Sequence, residues 1–432
     1  MTLGAHNTTP LSWIGRRLPP ALKYPAYFRF WLGMFAAVGG FQVMTFGQYW
    51  LVHQLTPSPL YLGYTGLANA LPAILLNLFG GVAADKLNRK RLIVVTEYAA
   101  AFPVLLLAFL TLFHVVRIWH VLLIAVVAGA INAFNQPARQ AVFPSLIERP
   151  ALMSAVALNS AVWQGTRIIA PAVAGILIAL WGTASAFLVA GAGMCFFGWI
   201  VSRLPIPEER REGEGAMRQM AEGLRYVWAH SIFTFLMSMT FFNSFFGMAY
   251  VAQMPVFARD ILNVGAEGQG LLLSLSGIGS LLATAVLSVW AGALRRGTVL
   301  IGGAILSGLS VAGFALGCRY VGSYPLAMAL MFLIGVFNST YMISIMSALQ
   351  MMVPDQMRGR VMGLYGMTWN IMPLGGMYAG LAAVWLGTPW AIALGGFLVT
   401  VFAAGPALWN RDVRRVGALM RSAESAPARR GA

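Results

Sequence analysis

Three charged side chains stand well inside long apolar runs of this sequence: Glu97, Arg139 and Arg167. A charge held at mid-bilayer costs about 2.5–3.5 kcal/mol on insertion scales, so such residues mark ion, proton or substrate pathways. Glu97 lies six residues into its run and Arg139 seven before the end of the next. At about 1.5 Å of rise per residue, both sit roughly 10 Å deep on consecutive antiparallel helices, within reach of an ion pair. The pair is either a fixed salt bridge or a carboxylate that exchanges a proton as its cation moves away. Arg167, about fifteen residues into the following run, reaches mid-membrane, where it attracts an anionic group of a substrate or hydrogen-bonds carbonyls at a helix end. Asn132, Asn135, Gln136 and Arg139 follow the i, i+3, i+4, i+7 spacing of one helix face. A polar face in lipid turns toward a cavity or a partner helix.

Other chemistry is missing. The five histidines are scattered, with no metal-ligand spacing and no nucleophile–base pair. None of the three lysines stands between Gly and Ser or Thr, so the phosphate loop of an ATPase cannot form. Cys195 and Cys318 lie in separate apolar runs, against a disulfide framework or metal site. The sequence therefore predicts no cofactor and no enzymatic activity. Uphill work would draw on an ion gradient; without one the chain is a passive facilitator.

The elements that must hold these residues follow from composition. Of 432 residues, 59% are hydrophobic and 10% charged, and mean hydropathy is +0.74. Soluble domains run roughly 45–50% apolar and about 25% charged, and a spanning helix needs about 20 apolar residues. Twelve runs qualify, at 28–55, 60–84, 91–113, 118–146, 152–180, 183–203, 231–258, 267–293, 298–318, 324–350, 358–386 and 388–410. They predict an all-α, multi-pass protein of a cell inner (plasma) membrane, with the lipid bilayer as its solvent. Arg16-Arg17 are followed by Pro19-Pro20 and not by an apolar core with a cleavage site, so no removable signal peptide is expected.

The formal charge of +16 has a topological origin. With the N-terminus in the cytoplasm, 24 of the 29 Lys and Arg residues fall on inside segments and three, Arg117, Arg259 and Arg319, on outside loops. That bias predicts both termini in the cytoplasm and leaves nucleic acid no role as a partner. The longest loop divides six runs from six. The expected organisation is a cytoplasmic segment 1–27, a six-helix bundle 28–203, a linker 204–230, a second bundle 231–410 and a basic tail 411–432. In the linker Met217, Met220, Leu224, Val227 and Trp228 recur at helical spacing opposite Arg218, Glu222 and Arg225, predicting an amphipathic helix on the membrane surface. The halves echo each other at an offset near 205 residues: Trp163 with Trp369, Gly175 with Gly380, Arg89–Arg91 with Arg295–Arg296. Same-direction six-span repeats with a site between them are one transporter architecture.

After the second run stands Gly81-Val-Ala-Ala-Asp85-Lys86-Leu-Asn88-Arg89-Lys90-Arg91. It resembles the G-x-x-x-D-(R/K)-x-G-R-(R/K) signature of the major facilitator superfamily, with Asn88 in place of a glycine. Asn also visits the left-handed region. In physical terms Gly81 permits close helix approach, Asp85 sits against a positive helix N-terminus, and Arg89 and Lys90 bridge to the opposing half. Such contacts hold one state of a rocking bundle and break in the other. Asn135-Gln-Pro137-Ala-Arg139, Pro144-Ser-Leu-Ile, Ala157-Leu-Asn159 and Arg167-Ile-Ile-Ala-Pro171-Ala-Val-Ala-Gly175 are similar to the siderophore-exporter and macrolide-efflux branch. So is Asp355-Gln-Met-Arg358-Gly359-Arg360, which joins the gating set. Ala170-Pro171 to Ala174-Gly175 occupies the place of the antiporter G-P-x-x-G-G motif, two glycines having become alanine. For Arg167 the branch resemblance implies a structural role.

The resemblance implies a fold of twelve helices in two pseudo-symmetric halves, with the first, fourth, seventh and tenth spans lining a central cavity. Gln42, Asn132, Asn243 and Asn338 fall near the midplane of those spans. With Gln48, Asn135, Tyr250, Tyr341, Trp369 and Arg167 they form the expected substrate set, each alone able to serve as packing glue. Aromatic and methionine side chains in spans seven and ten suit bulky amphiphiles. Span one holds no carboxylate. The expected function is proton-coupled efflux of a small amphiphilic molecule, a siderophore, macrolide or drug, by a monomer working through alternating access. A same-fold importer, a lysophospholipid flippase and a non-transporting scaffold or sensor are the alternatives.

Overall fold

A computed structural model describes residues 19–206, 216–290 and 296–409. The ends of the chain, the charged start of the linker at 207–215 and Arg295 lie outside the described residues. Among those described, every regular element is helical. The first half comprises α1 (Pro25–Leu55), α2 (Pro59–Lys86), α3 (Arg89–Leu112), α4 (Ile118–Val142), α5 (Leu152–Trp181) and α6 (Thr183–Arg203). The linker helix is α7 (Ala216–Trp228). The second half holds α8 (Ser231–Phe242), α9 (Tyr250–Pro255), α10 (Gly265–Trp290), α11 (Arg296–Tyr320), α12 (Tyr324–Met352), α13 (Asp355–Met367), α14 (Met372–Leu386) and α15 (Thr388–Trp409).

Among the described residues, eleven helical stretches are long and apolar enough to cross a membrane. The run expected as a single eleventh span is divided by a 3-10 turn, Thr368–Ile371, into α13 and α14. The seventh span runs continuously from Ser231 to Ile261 but carries two π-helical segments, Asn243–Gly247 and Val256–Ile261. Each admits an extra residue per turn, a distortion concentrated at functional places in helices.

Local sequence sets the ends. Proline opens α1, α2 and α12, where its missing N–H costs nothing. The Asn88 side chain accepts the Arg91 amide at 3.0 Å and caps α3. Gly182 after α5 and Gly387 after α14 turn the chain at φ 78° and 79°, a conformation costly for any residue with a Cβ. These two glycines share the repeat offset noted in the sequence, so the halves repeat in backbone as well as in pattern.

The halves meet through two related helix pairs, α5 on α10 and α2 on α14. Gly175 and Gly380 lie in them. A Cβ on Gly175 would stand 2.5 Å from the Ala266 carbonyl oxygen, and one on Gly380 2.8 Å from that of Pro59. Ser274 Oγ donates to Ile168 O at 2.6 Å across the same seam. The glycine contacts lie toward the end of the molecule that carries the α1–α2 loop, and the Ser274–Ile168 bond lies near the middle of α5. At the opposite end α7 packs on α13 and touches α2. There a Cβ on Gly81 would meet nothing within 4 Å.

Candidate functional site

Glu97, on α3, is 1% exposed. Its Oε1 accepts from Asn135 Nδ2 at 2.8 Å and from Arg139 Nε at 3.1 Å, and the Arg139 terminal nitrogen joins the same oxygen. Asn135 also donates to Thr96 Oγ1 at 2.7 Å, and Thr96 donates to the Leu92 carbonyl of its own helix. One face of α4 therefore supplies both the amide and the cation that serve the carboxylate, as the i, i+4 spacing of Asn135 and Arg139 requires. The guanidinium stands 4.8 Å from the centre of the Phe197 ring of α6, a cation–π contact. Beside this cluster lies a cavity of about 40 Å³, lined by Phe41, Met44, Asn132 and Trp163 as well as the charged pair, with space for one or a few waters. Four of the expected residues, Glu97, Asn132, Asn135 and Arg139, thus share one site inside the first half.

The remaining polar residues are dispersed. Gln42 is half-buried outside that cavity, and Gln48 is buried with its Nε2 unpartnered among the described residues. Asn243 and Asn338 turn their amides toward thioethers within the second half, on Met342 at 3.9 Å and Met248 at 3.0 Å. Tyr250 and Tyr341 are buried in the packed interior of the second half. Trp369 stands in the 3-10 turn, and its side chain lies outside the described residues. Arg167 is half-buried on α5 beside the seam. No carboxylate among the described residues pairs with Arg167.

Two basic residues after α2 bond within the first half. Arg89 Nε donates to the Ala84 carbonyl at 3.1 Å, and Lys90 Nζ to the Leu204 carbonyl at the end of α6 at 2.8 Å. Lys86 is exposed and Asp85 half-buried. The close helix approach expected at Gly81 occurs one residue earlier: a Cβ on Gly80 would strike the Ala133 carbonyl of α4. One residue is about 100° of helix rotation, so Gly80 faces α4 and Gly81 faces open space. In the second half, Arg358 pairs with Asp355 at 2.6 Å and Arg360 with Glu222 of α7 at 2.8 Å. That pair ties the linker helix to α13, and Val227 of α7 is buried with the second-half interior. The amphipathic helix therefore docks on protein as well as presenting Trp228 outward.

A second polar group at the α1–α2 end was not singled out in the sequence. His53 Nε2 lies 3.0 Å from both carboxylate oxygens of Asp260, joining α1 to the second π-helical segment across the seam. Gln253 Nε2 donates to Pro59 O at 3.1 Å and Arg259 reaches the His53 carbonyl at 3.5 Å. His53 was read only as one of five scattered histidines; its place at the last turn of an otherwise apolar run was the available signal.

A family model described as "transmembrane secretion effector" matches residues 19–428. The staphyloferrin A transporter of Staphylococcus aureus is 25% identical over 78% of this chain and 84% of its own length. The multidrug efflux pump Tap of Mycolicibacterium fortuitum is 28% identical over 77% and 82%. Among solved structures, a bacterial homologue of the human lysosomal transporter spinster, in an inward-facing and unoccupied conformation, superposes with a TM-score of 0.71 at 13% identity, covering 94% of this chain and 98% of that one.

Proposed function

The chain belongs to the transmembrane secretion effectors of the major facilitator superfamily, and we propose that it is a secondary active exporter that passes a small amphiphilic molecule outward in exchange for protons. Its family and fold are those of membrane transporters. The observation that carries the proposal is the unequal seam: the halves touch by backbone toward the α1–α2 end, while Arg89 and Lys90, after α2, bond within their own half. On the charge bias the second end is the cytoplasmic one, and this reading takes the described state as one that opens to the inside.

In this cycle the cargo enters from the cytoplasm between the halves, among Gln42, Asn132, Asn243 and Asn338. The outer seam parts, the inner ends close, and Asp85, Arg89 and Lys90 exchange local partners for groups at the start of α13. Glu97 takes a proton when Arg139 withdraws, so that one buried site alternates between a cation and a proton. Relatives named as a staphyloferrin A transporter and a multidrug efflux pump support a small organic cargo, and the thioethers beside Asn243 and Asn338 supply a deformable wall for an amphiphilic one.

The test is accumulation of candidate siderophores, macrolides and dyes in cells with and without the protein. Loss of the protein raises internal levels, and a protonophore abolishes the difference. Equal levels in both strains for every compound, with the protein present in the membrane, would end the exporter assignment.

A further inference from the structure

We propose that the α3–α6 pair holds the phosphate of an anionic phospholipid between Arg91 and Arg203, with the acyl chains over an aromatic strip on the lipid side. Three cations, Arg89, Lys90 and Arg91, open α3, and its first turn holds no acid. The N-terminus of a helix is its positive end, so each of these charges is unfavourably placed there. Two of them are compensated. Arg89 donates to the Ala84 carbonyl near the end of α2, and Lys90 to the Leu204 carbonyl at the end of α6. Arg91 is exposed, and its side chain has no hydrogen bond or ion pair among the described residues. Arg203 is exposed as well and has no acidic partner among them; its guanidinium stands 5.2 Å from the centre of the Trp199 ring. Each of these two arginines is the chain neighbour of one partner in the Lys90–Leu204 bond, which brings them to one corner.

The surface beyond that corner is made for acyl chains. On α3, Arg91, Val95, Tyr98 and Phe102 follow the i, i+4, i+7, i+11 spacing of one face, and all four are exposed. On α6, Phe196, Trp199 and Arg203 share an exposed face at i, i+3, i+7, and the Phe196 and Trp199 rings stack at 6.1 Å. The two faces adjoin. A Cβ on Gly198 would stand 3.3 Å from Cζ of Tyr98, so α6 gives up a side chain where that ring lies. Tyr98 and Trp199 are the amphipathic rings that favour the headgroup level of a bilayer, and the two arginines stand at the helix ends beyond them. Glu97 does not compete for these cations: it is 1% exposed and turned inward onto Asn135 and Arg139. Charge-assisted bonds to a phosphate answer both guanidiniums at once. Free phosphate would leave the aromatic strip unused, whereas a lipid occupies both. On the charge bias that lipid belongs to the inner leaflet.

The test uses the purified full chain in detergent and native mass spectrometry to count bound lipids. Phosphatidylglycerol and phosphatidylcholine with the same acyl chains are the probes, and phosphatidylglycerol binds the more tightly. Each guanidinium is worth roughly fivefold toward an anionic headgroup. Arg91→Gln combined with Arg203→Gln therefore weakens the first phosphatidylglycerol binding step by about 25-fold. Both side chains are exposed, so the variant keeps its fold. Lys23→Gln combined with Arg149→Gln removes as much charge from exposed positions at the same end and leaves that step unchanged. Equal uptake of phosphatidylglycerol by the parent and the Arg91 and Arg203 variant overturns the site. So does an equal loss in the control pair, or a parent that holds phosphatidylcholine as tightly. Lipid counts involve no transport, so the exporter assignment stands or falls separately.

Discussion

One oxygen of Glu97 serves both Asn135 and Arg139, which makes the two halves of the ion pair unequal under mutation. Glu97→Gln keeps a carbonyl oxygen for both donors, so the variant folds with near-parental thermal stability but loses proton-driven export. Arg139→Leu strands a buried carboxylate and costs about 3–5 kcal/mol, seen as a lowered unfolding temperature; adding Glu97→Gln recovers much of it. Full export by Glu97→Gln, with its response to a pH gradient intact, would remove Glu97 from the coupling step. This pair was legible in the sequence because helix rise converts position into depth, and equal depth on consecutive helices means contact. The Thr96–Asn135 bond was less so, since a threonine in an apolar run ordinarily bonds its own backbone. His53 and Asp260 are 207 residues apart, and only the fold brings them together.

At the scale of elements, the seam is made by helices whose small residues let backbones touch. Gly380→Val would place its Cβ 2.8 Å from the Pro59 carbonyl oxygen and 3.2 Å from the Leu60 Cα, neither of which can rotate away. Overpacking of this kind costs about 1–3 kcal/mol, here charged against the shut state alone. The expected outcome is a shift of roughly 5-fold to 150-fold toward an open outer end, read as faster labelling of a cysteine at Pro57, with export reduced. Gly175 and Gly380 were paired in the sequence by the repeat offset, although nothing in their neighbours announced a backbone on the far side. The division of the eleventh span was missed because apolarity reports burial in lipid and not hydrogen-bond continuity; the polar stretch Asp355–Arg360 was the hint. The π-helical segments of the seventh span leave no mark in composition, since one extra residue per turn merely slips the periodicity.

For the whole molecule, the expected orientation puts 24 of the 29 Lys and Arg residues on cytoplasmic segments and three on outside loops. A tag following Ala432 is accordingly expected to resist protease added to intact cells and to be cut once the membrane is broken; cleavage in intact cells would reverse the orientation and with it the direction of export. Fold class was legible because lipid imposes one rule on every span, whereas which faces meet depends on a few glycines.

The seam carries a further consequence. Because recognition between the bundles resides in two matched ridges and not in the peptide connecting them, a chain severed between α6 and α7 keeps the information needed to rejoin: two separately translated fragments would find each other in the bilayer and restore a working pair, much as subunits of a dimer do.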